Sequence, residues 1–134
     1  MHSTEFRALK VWQSAIDFTI KIYEVCRNFP KDEVFGLTSQ IKRAVVSIPS
    51  NISEGCGRET LKDFIHFLFI ARGSCYEVSS HIEVCRRLDF ISETNYYDLL
   101  RDVDAIGKML NGLIKHYKER MTAHSSKDSN NPTS

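Results

Sequence analysis

A chain of 134 residues is long enough for one domain with a single buried core. Hydrophobic residues make up 42% and charged residues 26%, which excludes wholesale disorder. A formal net charge of +1 excludes a protein whose main task is to coat nucleic acid through a basic surplus, but leaves room for a local basic patch.

The opening MHSTEFRALK holds no apolar leader. The longest nearly apolar run, residues 64–71, contains His66 and falls far short of the ~20 residues that span a bilayer. Cys26, Cys56, Cys75 and Cys85 show no CxxC spacing. A cytoplasmic protein with reduced thiols and no membrane segment is expected.

Leu9, Trp12, Ala15, Ile16, Thr19, Ile22, Tyr23 and Cys26 recur at helical spacing, and Asn28-Phe29-Pro30 stops the run. This predicts a first helix over 8–27, then a connector over 31–35 with room for one helical turn. A second helix starts near 35–38 and runs to Glu54. Pro49 lies inside it and removes one backbone hydrogen bond, at about 3 kcal/mol or more. The apolar stripe stays in phase from Ile48 to Ile52, so a kinked helix is predicted in place of a break. Gly55-Cys56-Gly57 is expected to end it through glycine's tolerance of left-handed geometry.

Thr60 and Asp63 form an approximate capping box for a third helix. Phe64, Leu68, Ala71, Cys75, Val78, Ile82 and Cys85 alternate steps of four and three, a heptad seam suited to bundle packing. Ile65, Phe67, Phe69 and Ile70 lie outside the seam, so this helix carries surplus apolar surface. Ser92 is a suitable N-cap for a fourth helix over 93–120, rich in Lys115, Lys118 and Arg120 near its end. Residues 1–120 are read as the bundle domain and 121–134 as a disordered polar tail. The fold class is all-α, an up-down-up-down antiparallel four-helix bundle.

Helix 2 carries a second stripe. Gln40, Arg43, Ser47, Asn51 and Glu54 follow one another at three- and four-residue steps, about 110° round the axis from the apolar stripe. Amides, a hydroxyl and one charge of each sign replace the Lys and Glu of an ordinary solvent face. A contact network is expected, with Arg43 paired to a carboxylate of another helix or subunit, Glu54 being one candidate. Within one helix the two lie ~16 Å apart and cannot meet.

Catalytic and metal readings are weak. Glu77 and His81 are spaced by four, not by the three of a di-metal bundle, and no second motif appears. Cys75, His81 and Cys85 suggest zinc ligands, but both cysteines belong to the core seam. Ser47, Ser50 and Ser53 have no His nearby in sequence. Neither Arg86-Arg87 nor the group Arg43, Arg58 and Lys62 stands beside an aromatic platform for single strands. No enzyme, metal or cofactor is expected.

The chain resembles the 23S rRNA-intervening-sequence proteins over about residues 6–118. Leu9-x-Val11-Trp12-Gln13, Phe29-Pro30 and Gly36-Leu37-Thr38-Ser39-Gln40-Ile41-x-Arg43-Ala44 carry the likeness. So do Ser47-Ile48-Pro49-Ser50-Asn51-Ile52-Ser53-Glu54-Gly55 and Phe67-Leu68-x-Ile70-Ala71-x-Gly73-Ser74, with Ser53 where the family usually has Ala. The resemblance implies a four-helix bundle that assembles as a homopentamer, without an established molecular function. It points to a scaffold or adaptor with RNA or a ribonucleoprotein as partner. The alternative is a nucleic-acid-binding accessory subunit like that of diversity-generating retroelements. The interface and motif residues singled out are Gln40, Arg43, Ser47, Pro49, Asn51, Glu54, Arg58 and Phe67.

Overall fold

Four helices carry the chain in the computed structural model, which describes residues 5–129. They are α1 (Lys10–Cys26), α2 (Leu37–Cys56), α3 (Leu61–Arg87) and α4 (Glu93–Ser129). Among the described residues there is no strand. Each helix packs on its neighbours in sequence, α1 closes the ring against α4, and among the described residues the backbones of diagonal helices do not come close. Neighbours run antiparallel. Ser47 faces Ser74 while Gly55 faces Phe64 and Phe67, so α3 descends as α2 rises. This is the up-down-up-down bundle that the periodicities predict.

The apolar seam of α3 is the centre of the core. Phe64, Leu68, Ala71, Val78 and Ile82 are fully buried, with Cys75 and Cys85 nearly so. They meet Ile22, Ile41, Ile48, Ile52, Leu99, Ile106 and Leu110 in one contiguous cluster. Ion pairs line the outer edge of the α1–α4 seam, beside the apolar contact of the two helices. Lys21 Nζ lies 2.5 Å from Asp98 and 2.8 Å from Asp102. Hydrogen bonds to Asp102 and Asp98 raise the Lys21 pKa above its usual value, and the bond from Lys21 lowers that of Asp98.

The helix ends follow local chemistry. A 3-10 turn at Phe6–Ala8 precedes α1, so α1 begins later than the periodicity suggests. Another at Lys31–Glu33 fills the connector, and Glu33 accepts the Leu37 N–H at 3.1 Å, a carboxylate at the positive end of α2. Thr60 Oγ1 accepts the Asp63 N–H and Ser92 Oγ the Asn95 N–H, each at 3.1 Å. Asp89 closes α3 with φ 60, and the Phe90 N–H reaches back to the Cys85 carbonyl at 2.9 Å. That is a Schellman ending built on aspartate instead of glycine.

Two expectations are corrected. Helix α2 reaches Cys56, and no glycine there is left-handed: Gly57 has φ −83 and ψ −4. Gly55 is inside the helix and buried. A Cβ on it would stand 2.9 Å from Phe67 Cβ and 3.0 Å from Phe64 Cδ1, so its role is the close approach of α2 and α3. Helix α4 also continues past Arg120 to Ser129, through residues assigned above to a disordered tail. Once a helix is nucleated and packed, each further residue adds a hydrogen bond, and no Gly or Pro interrupts 121–129. The rest of that tail, 130–134, lies outside the described residues.

Gly55→Ala should therefore destabilise the fold by about 1–3 kcal/mol, since overpacking outweighs the better helix propensity of alanine. Urea unfolding measures this. An unchanged or raised midpoint would mean that Phe64 and Phe67 yield without strain.

Candidate interaction surface on helix α2

Pro49 dictates the chemistry of the middle of α2. It has no N–H to give the Val45 carbonyl, which is buried. Helix α2 nevertheless runs through it unbroken. Thr19 of α1 supplies the substitute: its hydroxyl lies 3.4 Å from the Val45 oxygen and 2.7 Å from the Ala15 oxygen. One proton is thus shared between the carbonyl of its own helix and the carbonyl left without a donor.

Two of the singled-out polar residues turn inward beside it. Ser47 donates to the Ala44 carbonyl at 2.6 Å, and its hydroxyl stands 2.6 Å from that of Ser74 on α3. Ser74 in turn reaches the Ile70 carbonyl at 3.2 Å. Asn51 Nδ2 donates to the Ser47 carbonyl at 2.7 Å. Side chains thus serve the carbonyls of Ala44, Val45 and Ser47 in the turn before the proline, and Val45 is the one that the proline leaves without a helical donor.

The remaining members face outward. Gln40, Arg43 and Glu54 are exposed, and the expected carboxylate partner of Arg43 does not come from another helix among the described residues. The reason is geometric. Helix α3 covers the inner edge of the strip, at Ser47, and no other helix among the described residues lies beyond it. Arg43 has no ion-pair or hydrogen-bond partner among the described residues. Glu54 is engaged by Arg58 at 2.7 Å, one turn on, and the Arg58 guanidinium sits 4.8 Å above the Phe67 ring. Glu54, Arg58 and Phe67 therefore form one cluster at the Gly55 crossing, while Gln40 and Arg43 stand apart from it. Thr19 and Ser74 were not singled out by periodicity. Thr19 reads as one more position on the buried face of α1, and Ser74 closes the quoted Gly73-Ser74 pair without pointing to Ser47.

The strip and its surroundings coincide with a known sequence pattern. The family model for the 23S rRNA-intervening sequence protein matches residues 7–112. The chain belongs to that family. A crystal structure at 1.70 Å of a protein of unknown function from the S23 ribosomal protein family of Bacteroides thetaiotaomicron VPI-5482 is similar in fold. Its TM-score is 0.73 at 27% identity, over 78% of this chain and 95% of that one. No curated protein matches the chain.

In this 23S rRNA-intervening sequence family member, the stretch from Ser47 to Gly55 has identifiable physical duties. Ser47 and Asn51 serve carbonyls around Pro49, and Gly55 allows the helix crossing. The side chains of Gln40 and Arg43 serve no such contact among the described residues. No helix among the described residues is long and apolar enough to cross a membrane. Among the same residues, no three His, Cys, Asp or Glu side chains converge in a way that could hold a metal ion.

All four cysteines are free and buried. Burial raises each thiol pKa, to about 12 for Cys75 and for Cys85. The folded chain therefore keeps those protons while the unfolded chain, with ordinary values near 9.0, loses them. Stability should fall as pH rises from 9.0 towards 12. Cys75 and Cys85 should resist a thiol-specific reagent at pH 8 until the chain is denatured, and native reactivity equal to that of the unfolded protein would contradict their burial.

The Thr19–Val45 contact can be tested by a double-mutant cycle. Thr19→Val should cost about 1–3 kcal/mol, because a buried carbonyl loses its donor. In a Pro49→Ala background the backbone N–H returns to Val45, so the same change should cost less. Equal costs in both backgrounds, read from chemical denaturation, would show that the hydroxyl does not serve the proline site.

Proposed function

We propose that this chain is a non-enzymatic, self-associating scaffold or adaptor of the cytoplasm, with RNA or a ribonucleoprotein as its partner. The observation that carries self-association is the outer face of α2. Ser39, Gln40, Arg43, Val46, Ser50 and Glu54 are exposed on it. Arg43 and Glu54 are its only charges, and Arg43 has no ion-pair partner among the described residues. A solvated helix face of this length ordinarily holds several Lys and Glu. Ile70 of α3 adds partly exposed apolar area near its edge. A second copy would give Arg43 a carboxylate and cover Val46, and a ring of about five copies is the arrangement that the family resemblance implies. RNA association rests on the family description and on the S23 ribosomal protein family of the similar crystal structure.

Light scattering on the purified chain should give a mass several times 15.4 kDa at micromolar concentration. Arg43→Glu, at an exposed position, should leave the helical signal intact and weaken assembly about tenfold or more, since it places like charges at the contact. A stable monomer at that concentration would remove the self-association reading. Isolation from the host, with sequencing of any bound RNA and identification of bound proteins, tests the partner. Material free of RNA and ribonucleoprotein would count against that half.

A further inference from the structure

The packing of α3 on α4 assembles a surface that neither helix carries alone. Lys108, Asn111, Lys115 and Lys118 recur on α4 at steps of three and four, on one face about 15 Å long. Arg72 joins them from α3, donating to Asn111 Oδ1 at 3.0 Å. The ring of Phe69 holds two of these cations: the Arg72 guanidinium and the Lys118 ammonium each lie 4.7 Å from its centroid. Two like charges drawn to one ring lie within a Debye length, about 10 Å at 0.1 M salt, and an anion between them would relieve their repulsion. Among the described residues none of the four cations forms an ion pair with a carboxylate. The Nε–H of Arg72 is buried beside Phe69 without an acceptor, so the outward-facing part of its guanidinium is what meets a ligand.

Beside the cations is a cleft of 190 Å³ between the two helices. One wall is Tyr76, 65% exposed, and the opposite side is opened by Gly107, where a Cβ would meet no atom within 4 Å. An exposed ring beside unpaired cations is the combination that takes single-stranded nucleic acid, the base stacking and the phosphates meeting the charges. Asp104 also lines the cleft. It would repel a phosphate, but it accepts a hydrogen bond from a ribose 2′-hydroxyl, the group that separates RNA from DNA.

We infer that the α3–α4 face is a binding site for single-stranded RNA, in which Tyr76 stacks a base beside Gly107 and Arg72, Lys108, Lys115 and Lys118 take the flanking phosphates. The inference rests on the RNA association proposed above and gives it a location. Fluorescence anisotropy of the full chain with a labelled, unstructured RNA of roughly twelve nucleotides, titrated at several salt concentrations, tests it. Tyr76→Ala should weaken binding on the order of tenfold with little change in salt dependence, and Tyr76→Phe should restore it. Lys108→Ala and Lys115→Ala should each reduce the slope of log affinity against log salt by about 0.7. Gly107→Leu should fill the cleft and weaken binding about tenfold while the thermal midpoint holds or rises, because leucine is the better helix former. Lys62→Ala, on the first turn of α3, should change nothing.

RNA binding that survives Tyr76→Ala and Gly107→Leu would overturn the site and leave the RNA association standing. No RNA binding by the wild-type chain at low salt would overturn both. DNA of the same sequence bound as tightly would overturn the assignment to RNA. Displacement of the RNA by polyglutamate of equal charge would mark the face as a site for acidic polypeptide and overturn it as well.

Discussion

An interior proline in a buried helix is the constraint around which this bundle is arranged. Pro49 is buried, and its missing N–H leaves the Val45 carbonyl without a helical donor at the α1–α2 contact. An unpaired carbonyl there would cost a sizeable part of the few kcal/mol by which a domain of this size is stable. Thr19 answers it from α1, and Ser47 and Asn51 occupy neighbouring carbonyls from α2 itself. Ser47 is further tied to Ser74, which sets the register of α2 on α3. The same register brings Gly55 against Phe64 and Phe67. A polar motif that looks like a site is thus, in its middle, the means by which three helices accommodate one residue.

This division gives the strip on α2 two different meanings. Ser47 and Asn51 are satisfied inside the chain, so a substitution there changes the fold first. The side chains of Gln40 and Arg43 are exposed and have no hydrogen-bond or ion-pair partner among the described residues. Glu54 is intermediate: its ion pair with Arg58 is exposed, and such pairs contribute little to stability. A surface that is ordered by its neighbours, poor in charge and unengaged is what an intermolecular contact requires.

Much of the bundle was legible in the sequence because its signals are local. The alternating fours and threes of α3 need no knowledge of any other helix, and every seam residue is buried. Thr60 and Ser92 cap the helices they precede. The unbroken apolar phase across Pro49 was enough to predict a bent helix in place of a break, and the helix is continuous there. What was not legible depends on register between helices. Thr19 meets Val45, and Ser47 meets Ser74, only because α1, α2 and α3 sit at one particular height. Gly55 was read as a terminator because glycine near a helix end usually is one. Its close neighbours come from the next helix, which the sequence does not place. The cluster of Arg72, Tyr76 and Lys108 was missed for the same reason, since its members come from different helices.

Net charge concealed the distribution of charge along α4. Its first half holds Asp98 and Asp102, which bind Lys21 on the α1 side. From Lys108 onward it holds Lys108, Lys115, Lys118 and Arg120, with Glu119 among them. Acids at the start of a helix and cations at its end suit the macrodipole, and with a helix ending at Arg120 that would account for the last three cations. The helix does not end there. It continues to Ser129, which leaves Lys118 three turns from the terminus and Lys108 more than five. The dipole effect is confined to the first and last turns. These lysines have no ion pair among the described residues either. Neither the helix end nor a carboxylate holds them on this face, and the like charge they gather beside Arg72 is unfavourable until something anionic meets it.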